Sequence, residues 1–226
     1  MLRSLLSGGI GFTDVIIYIL SSLAVILLTM PVHEFAHGFA AVKLGDNTPK
    51  WQGRLTLNPF AHIDYVGALC ILLFGFGWAR PVQVNQNNFR NPKRDMAITA
   101  FAGPFSNLIV ALIAMLLCNI CLLVFSSFAL GIIYYVAIFF NWVAFINVSL
   151  AVFNLIPIPP LDGSRILSAV LPYRTYYRLM QYERYIYFGL LALLWIGVLD
   201  IPLDFLTSKV FGGISYIASL PFGFLR

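Results

Sequence analysis

Long apolar runs separated by short polar breaks set the pattern of this chain. The first runs from about Phe12 to Leu28 and predicts a spanning helix, since a span needs ~20 residues at ~1.5 Å rise each. It is expected to continue as helix to about Leu44, where Gly45-Asp46-Asn47 reads as a stop. Met96 to about Phe125 and Leu130 to Ile156 predict a second and a third span, parted by Ser126-Ser127. Tyr185 to Leu199 predicts a fourth, and Val210 to Leu225 a fifth or an interfacial tail. Between these lie shorter signals. Lys50 to Leu57 and Pro81 to Asn85 alternate as strands do, the former as a strand or hairpin. Val66 to Trp78 is apolar but too short for a span, and predicts a re-entrant element. Gln86 to Arg94 is polar loop. Arg165 to Arg184 is polar, basic and rich in tyrosine.

Composition agrees with this pattern. Of the 226 residues 60% are hydrophobic and 10% charged, against ~25% charged in an ordinary soluble domain. A soluble hydrolase is excluded on that ground. The net charge of +5 raises nucleic-acid binding, but no basic run is interleaved with aromatic residues. The basic residues instead orient the spans. If the first helix ends in the cytoplasm, 11 of the 14 lysines and arginines fall on that side, as the positive-inside rule asks. Only Arg3, Lys209 and Arg226 fall outside. Arg3 with the following apolar run superficially fits a signal peptide. The run is long and no small-x-small cleavage pattern follows, so an uncleaved span is expected. Cys70, Cys118 and Cys121 lie in apolar stretches and read as small core residues.

Candidate chemistry concentrates at the end of the first run, in His33-Glu34-Phe35-Ala36-His37. Residues four apart share a helix face, so His33 and His37 can hold one metal ion together. Glu34 stands beside them, where a water on zinc could be deprotonated. Placing three ionisable groups on one helix turn at membrane depth has no structural return, which favours function. Catalytic zinc takes three protein ligands. The third is either His62 or Asp162, and a carboxylate has the advantage of offsetting the metal's charge. Asp162 follows a long span directly, after Pro157, Pro159 and Pro160, which break the helix there.

The chain resembles the site-2 protease family of intramembrane zinc metalloproteases. The resemblance rests on His33-Glu34-Phe35-Ala36-His37 and on Asn154-x-x-Pro157-x-x-x-x-Asp162-Gly163. Gly53 to Pro59, His62-Ile63-Asp64 with Gly67, and Ala102-Gly103-Pro104 with Asn107 resemble bacterial members. It covers roughly residues 25 to 170. The resemblance implies one Zn2+ per chain held by His33, His37 and Asp162, with Glu34 as general base. It implies a fold that is an all-α polytopic membrane protein, with a transmembrane core of about four to six segments and a small β-hairpin or re-entrant element near the active site. The loops are too short for the PDZ or CBS domains that many relatives carry. We therefore expect one integral-membrane metalloprotease domain over 1–226, with its core at 12–170 and extra membrane segments at 185–225.

The expected reaction is peptide hydrolysis in or near transmembrane segments of substrate proteins, in a multi-pass cell-membrane enzyme whose site lies near the cytoplasmic side. His62, Asn107 and Asn154 are candidate donors to the oxyanion. Trp51–Leu57 and Val82–Asn85 could pair with an unwound substrate. Two rival readings are a membrane metal transporter and a binder of transmembrane helices that does not cut. The first conflicts with metal-binding residues clustered at one depth, the second with Glu34, since binding alone needs no base.

Overall fold

A computed structural model describes residues 11–74, 80–128 and 131–223. The described residues form helices and connecting turns without a strand. We number the helices α1 (Phe12–Lys43), α2 (Thr48–Trp51), α3 (Pro59–His62), α4 (Tyr65–Phe74), α5 (Pro92–Phe128), α6 (Gly131–Asn154), α7 (Asp162–Ile166), α8 (Tyr173–Gln181), α9 (Glu183–Ile196) and α10 (Asp200–Ser219).

Three helices, α1, α5 and α6, are long and apolar enough to cross a membrane. The 24 residues of α6 reach ~36 Å, beyond the ~30 Å hydrocarbon core. A fourth crossing is available if α9 and α10 act as one broken span, since they meet at 85°. Four spans meet the low edge of the expected range, and three fall one short of it. The expected fourth and fifth segments are thus two arms of one bend. Gly197 makes it possible, closing α9 in the left-handed conformation at φ 84°, which glycine adopts without steric cost.

Helix α5 shows why the chain belongs in lipid. Ile98, Phe101, Phe105, Ile109, Ile113, Leu117 and Ile120 recur every three or four residues and are all exposed. They form one apolar stripe, the face a helix turns to acyl chains. The opposite face buries Ala111, Ala114, Met115 and Cys118 against Ala137, Ala144 and Val148 of α6. Small residues let the two helices approach closely, which drives helix association where water supplies no force. Tyr18 of α1 packs edge-on against Trp142 of α6, ring centroids 5.3 Å apart. Cys118 is buried in this core and Cys70 and Cys121 are half-buried; all three are free thiols.

Helix α1 widens into a π-helical stretch at Val25–Thr29, just before the motif. Pro31 lacks the amide hydrogen that a regular ladder would send to residue 27, and the wide turn falls where that bond is missing. Thr29 Oγ1 donates at 2.8 Å to the Val25 carbonyl, which also accepts from Met30 N–H across the wide turn.

The expected strand at Lys50–Leu57 is not formed. Thr48–Trp51 is a helical turn, begun by Pro49 in its first turn and by Asp46, whose carboxylate accepts from Thr48 N–H at 3.0 Å. An Asx turn and proline favour that turn over extension, and Gly53 at φ 66° then reverses the chain. Residues 80–85 are extended but have no strand partner among the described residues. The re-entrant expectation is described only as far as the ten residues of α4; residues 75–78 lie outside the described part, as do Arg3 and Arg226.

Candidate active site

About one turn of α1 carries His33, Glu34 and His37, all buried. Their spacing places the two imidazoles together, with Nε2 atoms 3.0 Å apart. Asp162, far along the chain, arrives at the same point. Its Oδ2 lies 3.3 Å from His33 Nε2 and 3.2 Å from His37 Nε2.

Asp162 gets there because the chain after α6 folds back on itself. Leu155–Leu161 closes through hydrogen bonds from Ile158 N–H to the Ile156 carbonyl (2.8 Å) and from Leu161 N–H to the Ile158 carbonyl (3.0 Å). Gly163 allows the loop to close. A Cβ there would lie 2.3 Å from the Leu155 carbonyl oxygen and 2.4 Å from that of Ile156. Ser164 Oγ fastens the new helix by donating to the Leu161 carbonyl at 2.7 Å.

The donor set fits zinc. Ligand bonds of ~2.0–2.2 Å in a tetrahedron place ligand atoms ~3.3 Å from one another, close to the three separations here. His37 Nδ1 lies 2.7 Å from the Thr99 carbonyl oxygen. A carbonyl only accepts, so Nδ1 carries the proton and Nε2 presents its lone pair to the centre. Three acceptors therefore converge, and one proton on His33 cannot satisfy them all. A divalent cation does. Burial opposes the charge of Asp162, and the two imidazoles lower its carboxyl below the usual carboxylate range. Among the described residues no other group of three such side chains converges.

Helix α5 lies directly against the imidazoles. A Cβ on Gly103 would stand 2.2 Å from His37 Nε2 and 2.6 Å from His33 Nε2. Only glycine leaves this cradle open.

Glu34 is not in the triad. Its Oε2 accepts from Val82 N–H at 2.9 Å, and its side chain lines a cavity of about 690 Å³. Asn107 of α5 and Asn154 at the end of α6 share that wall, with His33 and Asp162. Met30, Leu150, Phe153, Leu190, Leu191 and Leu194 make it largely apolar, and Gln181, Glu183 and Arg184 add a polar rim segment.

His62 is placed elsewhere. It is fully buried and is not part of the cavity wall. Its Nε2 lies 2.8 Å from the Thr56 carbonyl oxygen, and its own carbonyl accepts from Arg80 N–H at 2.7 Å. Both bonds tie loop to loop, so the expected oxyanion donor is an anchor instead. Thr99, Gly103 and Val82 act here through main-chain atoms or through a missing side chain. Gly103 falls within a motif noted in the sequence; nothing there signalled the Thr99 carbonyl or the Val82 amide.

The family model described as Peptidase family M50 matches residues 127–197, a stretch that includes Asp162. The chain is 40% identical over 164 residues to "Putative zinc metalloprotease YwhC" of Bacillus subtilis strain 168, covering 71% of this chain and 73% of that protein. It is 32% identical over 145 residues to "Putative zinc metalloprotease Rip2" of Mycolicibacterium smegmatis, covering 61% of this chain. A Mycobacterium tuberculosis protein of the same name is 32% identical over 142 residues. The chain spans about half, 52%, of the length of these last two. No solved structure matches the chain.

Proposed function

Since the chain belongs to peptidase family M50, the site-2 protease family, and is a zinc metalloendopeptidase, we propose that it cuts other membrane proteins in or near their transmembrane segments. The observation that carries this is depth. His33 and His37 lie within a helix long and apolar enough to span the bilayer, about 9–15 Å from its end at Lys43. A substrate bond must reach that depth, and a transmembrane helix is already there.

His33, His37 and Asp162 hold the zinc. When bound, zinc supplies Lewis acidity, which brings a water's pKa to ~7 and polarises the scissile carbonyl. Glu34 takes the proton from the attacking water and delivers it to the amine nitrogen as the C–N bond breaks. Asn107 and Asn154 share the cavity wall and, as side-chain amides, would donate to the developing oxyanion. His62 is anchored away from it.

A helix hides its peptide bonds, so the substrate must unwind. The extended residues 81–84 offer an edge for it. Among the described residues, the N–H groups of Gln83 and Val84 and the carbonyls from Pro81 to Val84 have no partner. An unwound substrate strand would pair with them. Helix-weakening Gly, Asn or Pro in the substrate lowers the cost of unwinding. The site faces the cytoplasm on the positive-inside rule, since the lysines and arginines concentrate in the sequence segments that connect the spans on the side where the first helix ends. Lys93 Nζ, donating to the Leu171 carbonyl at 3.0 Å, ties the start of α5 to the α7–α8 linker at that end.

Comparing membrane proteomes of wild-type and Glu34→Gln cells tests the proposal. Single-span proteins should accumulate intact in the variant and appear as cut fragments in the wild type. Zinc-dependent cleavage confined to soluble proteins would reject it.

A further inference from the structure

Two buried polar residues outside the cavity, His62 and Asp46, have no part in the chemistry described so far. They hold opposite ends of one extended strap, residues 80–85. At its start, Arg80 N–H donates to the His62 carbonyl at 2.7 Å. At its end, Asn85 N–H donates to Asp46 Oδ2 at 2.7 Å. Between them, Val82 N–H donates to Glu34 Oε2 at 2.9 Å.

Asp46 has no exposed surface and forms no ion pair among the described residues. A buried charge of this kind persists only when donors surround it. The donors are Thr48 N–H and Oγ1, Asn85 N–H and Asn88 Nδ2, the last at 2.8 Å. Asp46 is also fastened to the end of the motif helix: its N–H donates to the Ala41 carbonyl at 2.9 Å. The strap is thus pinned to the same helix twice, at Asp46 and at Glu34. Val84 between these points packs inward against the cluster of Ala41, Phe89 and Met96. Helix and strap form one body.

We infer that Asp46 is a positioning residue for catalysis: through Asn85 it holds the strap so that the Val82 amide fixes one oxygen of Glu34. This rests on the reading of Glu34 as the base. A carboxylate with Oε2 occupied by a main-chain donor has a defined orientation, and Oε1, which has no protein partner among the described residues, is left for the proton of water. An unanchored strap would let the carboxylate turn, and ~1 Å of misplacement at a reacting group costs up to ~100-fold in rate. The same pinning holds the strap, whose Pro81 lines the cavity and whose Gln83 is exposed.

The test uses zinc-loaded full-length protein in detergent and two probes: a fluorogenic extended peptide, and a single-span polypeptide with a Gly-Pro pair in its helix. Asp46→Asn retains an oxygen for Thr48 but turns an N–H2 group toward Asn85 N–H. It should keep its zinc and helical content, lower kcat about 10–100-fold, and move KM less than about threefold. A kcat within twofold of wild type, or a loss that follows lost zinc, would overturn the assignment. Hydrogen exchange on the wild-type protein gives a reading that needs no variant. The Val82 and Asn85 amides should be protected and that of Gln83 should exchange freely; equal rates at all three would overturn the strap. If wild type cuts the extended peptide and leaves the span intact, the intramembrane reading fails, while the strap is still measured on the peptide.

Discussion

Gly103→Ala puts a single methyl group where the zinc ligands meet. The added Cβ would stand 2.2 Å from His37 Nε2 and 2.6 Å from His33 Nε2. Relief requires about 1 Å of movement in one or both rings, since packed interiors offer no slack. The rings are poorly free to move. His37 is held through Nδ1 by the Thr99 carbonyl, and both rings are buried. Helix α5 cannot retreat without uncovering its contacts with α6. Disturbing a metal-supporting group typically costs 10–100-fold in metal affinity, and this change touches the ligands themselves. We therefore expect zinc affinity to fall at least ~10–100-fold, with turnover falling in step. Zinc content after dialysis against a graded chelator, with cleavage of the single-span probe, reads both. Gly189→Ala is the control: nothing lies within 4 Å of its Cβ position, and alanine favours helix by ~1 kcal/mol. If Gly103→Ala bound zinc as tightly as wild type and cut at the wild-type rate, the close approach of α5 to the imidazoles would be wrong.

Other outcomes follow from the same geometry. Glu34→Gln should retain one zinc per chain by metal analysis and lose cleavage; retained cleavage would remove Glu34 as base. His37→Ala should lose zinc, and Asp162→Asn should weaken it and slow turnover. If Asp162→Asn changes neither, the third ligand lies elsewhere. Burial opposes the charge of Asp46, but hydrogen bonds from Thr48, Asn88 and Asn85 hold its pKa below the ordinary 3.8. A lowered folded pKa means that the charged form stabilises the fold above about pH 4, and that this is lost as pH falls through the folded value. Thermal melts should therefore separate wild type from Asp46→Asn at neutral pH and converge toward acid; a constant gap would contradict the sign.

Much of this was legible because the signals are local. Run length and apolarity predicted α1, α5 and α6, since spanning is a property of ~20 consecutive residues. His33, Glu34 and His37 share one helix turn and declare themselves. The meeting of Asp162 with that turn depends on how Leu155–Leu161 folds back, which spacing does not encode; family resemblance supplied the expectation. The failures were also physical. Lys50–Leu57 alternates, but Pro49 and the Asp46 carboxylate set a helical turn first. The last two apolar runs suggest a fourth span and a fifth span or interfacial tail, because the bend at Gly197 that joins them is a backbone property. His62 drew attention as a rare histidine, while its environment makes it an anchor. The Val82 amide and the Thr99 carbonyl have no side-chain signature, so only coordinates place them beside Glu34 and His37.

The central claim is that a zinc centre built from α1 and α7 cuts a peptide bond at membrane depth. The most direct measurement reconstitutes wild type and Glu34→Gln in lipid vesicles with a single-span substrate, counts zinc per chain, and maps the cut by mass spectrometry. The account predicts one zinc in each protein and a cut within or at the edge of the span by wild type alone. A cut confined to the soluble flanks, or made equally by Glu34→Gln, would contradict it.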